Sequence, residues 1–171
     1  MRLDIFSLPI FIDAVDLNKI NISDEKFERI WLSETPSTMG KPHTIPSETY
    51  EYLVEVFIRN LDNLVGPNPR FGQIWRNKYD ETDWQDIHIH PNCAWSFIIY
   101  ESVAESKTVF MNPNFKDIQN HWGENVEGFP LDFRPNLEAG KIIIFPSFLQ
   151  HFVRPGGKGT TISGNVYMDY N

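Results

Sequence analysis

The chain has 171 residues, 41% of them hydrophobic and 22% charged, which is enough apolar material for the core of one ordinary domain. With 15 basic residues against 23 acidic ones the formal charge is −8, which excludes a general electrostatic grip on nucleic acid phosphates and argues against anionic membrane surfaces. The single cysteine, Cys93, excludes an internal disulfide and any cysteine-rich zinc site.

In chain order, 3–13 reads as an extended segment, and it lacks the cleavage pattern of a signal peptide. Residues 23–32 read as a short helix with Ser23 as its N-cap. The stretch 34–44 is a turn-rich loop. Residues 47–64 carry the one strong helical period: Tyr50, Leu53, Val54, Phe57, Ile58, Leu61 and Leu64 fall on one face, with Glu51, Glu55, Arg59 and Asp62 on the other. Gly66-Pro67-Asn68-Pro69 stops it.

From Phe71 onward the period becomes that of strands. Strands are expected over 73–79, 85–90, 94–101, 107–111, 141–145, 150–154 and 160–168. The connection 112–140 is long and without a period of its own, which usually marks a functional or mobile segment. Together these elements predict one domain over 1–171, with an N-terminal strand and helices in 1–69 and a β core in 70–171. The fold class is α+β, mainly β: a jelly roll with its helices packed on one sheet. No run reaches the ~18 apolar residues of a membrane helix, so the expected compartment is the cytoplasm.

Two segments carry candidate chemistry. In Asp86-Ile87-His88-Ile89-His90-Pro91-Asn92, strand alternation would set Asp86, His88 and His90 on one face. Two neighbouring imidazoles aimed one way begin a divalent metal site, although a half-exposed strand carrying polar residues outward would show the same spacing. The apolar run 141–145 leads through Pro146 and Ser147 to a single histidine, His151. A lone buried histidine is more often structural than functional, but a third ligand from a distant strand is what a facial site requires. Asp86 and His90 are rival third ligands, and Asp86 is equally suited to supporting a ligating imidazole. Cys93 reads as a small buried filler. His121-Trp122 reads as an ordinary loop pair, and His43 has no evident partner.

These pieces, in their order, resemble the 2-oxoglutarate/Fe(II) oxygenase superfamily of double-stranded β-helix fold. The likeness runs through Ile5-Phe6-Ser7-Leu8-Pro9-Ile10, Trp75-Arg76-Asn77, His88-Ile89-His90-Pro91-Asn92 with Ser96 and Tyr100, and Val109-Phe110-Met111-Asn112-Pro113. It continues through Ile144-Phe145-Pro146-Ser147-Phe148-Leu149-Gln150-His151 and Ile162-Ser163-Gly164-Asn165.

The resemblance implies Fe(II) held by His88, His90 and His151, with 2-oxoglutarate as co-substrate. His90 stands where the superfamily usually has a carboxylate. A neutral imidazole there leaves more positive charge on the metal and shifts preference toward Zn, Ni or Cu. The resemblance further implies co-substrate contacts from Tyr79, Asn77, Asn165 and Ser96. The superfamily's arginine after the distal histidine would fall near Gly159 or Thr160, so Lys158 is the candidate anion clamp, acting as a point charge.

The implied activity is a dioxygenase, most simply a hydroxylase, of a small molecule or peptide. No nucleic acid or membrane partner is expected, and a homodimer is the common state for a small enzyme. Two alternatives fit the same residues: a cupin-like three-histidine metal enzyme that does not use 2-oxoglutarate, and a non-catalytic jelly-roll binding protein.

Overall fold

A computed structural model describes residues 7–22, 26–29, 35–41, 44–61, 69–122 and 130–168. Two antiparallel sheets are built from eleven strands. These are Phe11–Ala14 (β1), Glu28–Arg29 (β2), Pro36–Ser37 (β3), Pro69–Tyr79 (β4), Gln85–His88 (β5), Trp95–Tyr100 (β6), Thr108–Met111 (β7), Asp132–Phe133 (β8), Lys141–Pro146 (β9), His151–Val153 (β10) and Gly159–Met168 (β11). The larger sheet runs β1-β9-β6-β11-β4-β3-β2 and the smaller runs β5-β10-β7-β8. Helices are Ser47–Leu61 (α1) and Phe115–Trp122 (α2). No helix among the described residues is long and apolar enough to cross a membrane.

The central strands of the larger sheet are buried on both faces, which is why β6 and β9 read as unbroken apolar runs rather than alternating ones. On one face Ile142 and Ile144 of β9, Phe97 and Ile99 of β6, Ile74 of β4 and Ile162 and Val166 of β11 pack against Leu53, Val56, Phe57 and Leu61 of α1. On the other face Ile143 and Phe145, with Ile98 and Tyr100, meet Phe110 of the smaller sheet and Leu149. The helix therefore roofs the outer face of the sheet, and the inner face is left for the space between the sheets.

The remaining inward positions of the larger sheet mix aromatic and polar side chains. Alternation in β4 sends Trp75, Asn77 and Tyr79 inward, and β11 contributes Thr161 and Ser163 to the same wall. Gly164 has the opposite parity and lies between Ile74 and Phe97 on the neighbouring strands. A Cβ there would come within 2.6 Å of the Phe97 ring, so the helix-side packing at this point requires glycine.

Two expectations are corrected. The helix expected over 23–32 is absent where the chain is described: Glu28 and Arg29 pair with Ser37 and Pro36, and Ser37 pairs with Asn77, so this segment extends the sheet. Strand pairing outweighs a short amphipathic signal. The 112–140 connection is not without structure, since it holds α2 and β8. His121 lies on α2 and is exposed. His43 lies outside the described residues.

Candidate metal centre

His88 closes β5 and His151 opens β10, and the two are direct cross-strand partners in the smaller sheet. Their rings lie 4.3 Å apart between centroids. β5 ends at His88, so His90 does not continue the strand alternation. Instead its backbone N–H donates to the Ser147 carbonyl at 2.9 Å, which ties the chain to the turn before β10. The His90 ring lies 5.4 Å from that of His88 and 5.1 Å from that of His151, and it stacks on Trp75 of the larger sheet at 5.6 Å. One ring nitrogen from each of the three histidines lies within 4.8 Å of the others.

The other ring nitrogens are occupied. His88 Nδ1 is 2.6 Å from the Asp86 carbonyl, His151 Nδ1 is 2.9 Å from the Leu149 carbonyl, and His90 Nδ1 is 2.6 Å from Asn165 Oδ1. A carbonyl or amide oxygen can only accept, so each ring carries its proton on Nδ1 and leaves the Nε2 lone pair free. Burial lowers the pKa of all three, His90 to about 4 and His151 well below its ordinary value, so the rings are neutral at pH 7. Three neutral imidazoles with free, converging lone pairs fit a divalent cation of the first transition row.

Beside the triad lies a cavity lined by Trp75, Asn77, Tyr79, Tyr100, Ser106, Lys107, Thr108, Thr161 and Ser163, among others. Asn77 donates its amide to Ser163 Oγ at 3.3 Å, while its buried Oδ1 has no partner, an unsatisfied acceptor of a kind that is rare in protein interiors. Ser106 Oγ donates to the Tyr100 hydroxyl at 3.0 Å, which donates to Thr108 Oγ1 at 3.1 Å. Burial raises the pKa of the Tyr79 phenol, keeping it a neutral donor.

The structure brings together His88, His90, His151, Tyr79 and Asn77. It does not bring Lys158 to them: that side chain is 75% exposed and lies 4.0 Å from Asp80. The cation on the cavity wall is Lys107, 21% exposed and 2.6 Å from Glu105. Sequence reading sought a cation after the distal histidine, whereas this one precedes β7, the strand paired with β10. Asp86 faces solvent and offers the triad only its backbone carbonyl. Asn165 and Ser96 stand behind His90, where Asn165 Oδ1 also accepts from Ser96 Oγ at 3.4 Å. The signal for their placement is register, since Asn165 and Ser96 are cross-strand partners.

Residues 73–163 match the family model described as "Putative 2OG-Fe(II) oxygenase". No curated protein matches the chain. Among solved structures the chain is similar to a prolyl-4-hydroxylase from Pseudomonas putida, with 12% identity and a TM-score of 0.50 over 90% of this chain and 80% of that one. It is similar also to HygX from Streptomyces hygroscopicus, solved with nickel, 2-oxoglutarate and hygromycin B bound, with 11% identity and a TM-score of 0.50 over 90% of this chain and 75% of that one. At such identity these likenesses establish the fold, a double-stranded β-helix. The matched segment takes in all three histidines and more than half of the sequence, and the chain belongs to the 2OG-Fe(II) oxygenase family.

Proposed function

We propose that the protein is an Fe(II)- and 2-oxoglutarate-dependent hydroxylase in which His88, His90 and His151 hold the metal. The adjoining polar cavity takes the co-substrate. The observation that carries this reading is the convergence of three neutral imidazoles, each fixed in its Nδ1–H form, at a cavity with a half-buried lysine. Bound iron with 2-oxoglutarate supplies O₂ activation coupled to decarboxylation of the co-substrate. The chain's own residues bind and orient. Lys107 meets the far carboxylate of 2-oxoglutarate as a point charge, exchanging its Glu105 partner for the ligand. The Tyr79 phenol donates to the same dianion.

The substrate class is a small molecule or peptide. A cytoplasmic location suits the free thiol of Cys93, and a homodimer is the oligomer we expect. The test is anaerobic titration of the Fe(II) protein with 2-oxoglutarate, followed by an assay for succinate. A metal-to-ligand charge-transfer band and iron-dependent succinate are expected, both lost in His151→Ala. Metal binding without the band would favour a three-histidine enzyme that does not use 2-oxoglutarate, a reading to which the missing carboxylate and the Lys107–Glu105 pair lend weight.

A further inference from the structure

Asn165 is not on the cavity wall, yet it makes one of the shortest polar contacts around the triad, 2.6 Å from Oδ1 to His90 Nδ1. Behind it stands a run of hydroxyls and a thiol between β6 and β9. Cys93 Sγ donates to Ser147 Oγ at 3.2 Å, Ser147 Oγ lies 2.8 Å from Ser96 Oγ, and Ser96 Oγ donates to Asn165 Oδ1 at 3.4 Å. The thiol's one proton has a second acceptor in the His90 carbonyl at 3.3 Å, and from Ser147 onward every bond can run one way and end on the amide oxygen, which then accepts from Ser96 on one side and His90 on the other. Ser96 and Ser147 are fully buried, and buried polar groups are rarely left without such partners.

We infer that Asn165 is a positioning residue of the metal centre: its amide oxygen, fixed by the Ser96–Ser147–Cys93 chain, holds His90 as the Nδ1–H tautomer and aims Nε2 at the shared site. The inference rests on the metal reading above. The opposite amide orientation would set an N–H against His90 Nδ1, move the ring proton to Nε2, and remove that atom as a ligand. His88 and His151 are held by backbone carbonyls, which cannot turn over in this way. His90 alone depends on a side chain, so the third ligand is the one that a single substitution can unfix. The partner is an amide and not a carboxylate, so the ring gains orientation without the added basicity that an anionic partner confers.

The experiment loads the wild type, Asn165→Leu and Asn165→Asp with Co(II) alone under anaerobic conditions, and reads affinity by chelator competition and the visible d–d bands. Asn165→Leu keeps the volume and removes the acceptor. It is expected to bind cobalt ten- to a hundredfold more weakly, with altered bands. Asn165→Asp keeps an acceptor on Nδ1 and is expected to restore affinity to within a few-fold of wild type, with bands displaced by the more basic ring. Equal affinity and identical bands in Asn165→Leu would overturn the inference while leaving the metal site standing, and so would equal losses in both variants, the mark of a packing role. Should Asn165→Leu not fold, Asn165→Asp decides alone, and unchanged bands there count against the inference. A wild type that takes up no cobalt would overturn the metal reading and this inference together.

Discussion

Among the described residues, no carboxylate joins the three histidines to bring negative charge to a metal. The three Nδ1 partners are two backbone carbonyls and one amide, all neutral. The rings are also buried, and their pKa values are lowered. In the metal-free protein this makes a pH-dependent contribution to stability. The unfolded chain binds protons at these histidines below about pH 6.5, whereas the folded chain resists down to about 4 at His90. The unfolded state thus holds more protons in that window, and stability is complete above it and falls as the pH drops through it. The urea midpoint of chelator-treated protein should be lower at pH 5 than at pH 7.5; an unchanged midpoint would contradict the buried neutral rings. A second prediction separates the two lysines. Lys107→Gln should weaken 2-oxoglutarate binding roughly ten- to a hundredfold, the ~1.5–3 kcal/mol of a charge-assisted hydrogen bond. Lys158→Gln, exposed beside Asp80, should bind it as wild type does, and calorimetric titration of both variants reads the contrast.

At the scale of elements, what was legible followed from burial. The apolar runs of β6 and β9 announced themselves because both faces are covered, and α1 did so because only one of its faces is. His88 and His151 were legible as a pair of strand residues, and their cross-strand register bears out that placement. Alternation could not place His90, because it lies beyond the end of β5. The strand stops at His88, and the bond from His90 N–H to the Ser147 carbonyl turns the chain inward. Lys107 was not legible, because its place on the cavity wall depends on how β7 lies beside β10, a long-range register that spacing along the chain does not encode. Gly164 belongs at this scale too. Its parity sets it against α1's side of the sheet, where a methyl group would meet the Phe97 ring at 2.6 Å and Ile74 at 3.0 Å. Gly164→Ala should cost about 1–3 kcal/mol through overpacking, read as a lowered urea midpoint.

Across the whole molecule the two faces of the larger sheet divide the labour. The outer face, under α1, is mostly apolar, with Asp13 of β1 paired to Arg59 of α1 at its edge, and Phe57 is fully buried there with its ring 5.5 Å from that of Phe97. The inner face gives several of its positions to Asn77, Ser96, Thr161, Ser163 and Asn165, which add little hydrophobic stabilisation and serve the site. The core under α1 and the site therefore sit on opposite sides of one sheet, and they should respond independently. Phe57→Ala removes a buried ring and should cost roughly 3–5 kcal/mol. Metal bound only by the folded state should add about 2.7 kcal/mol at a free concentration one hundred times its Kd. The sites share no side-chain contact, so the two effects should add: the urea midpoint of Phe57→Ala should rise on metal addition by the same free energy as that of the wild type. In His151→Ala the metal increment should vanish. A metal increment that shrinks markedly in Phe57→Ala would mean that the helix-side core sets the geometry of the triad through the sheet, and the separation of the two faces would be wrong.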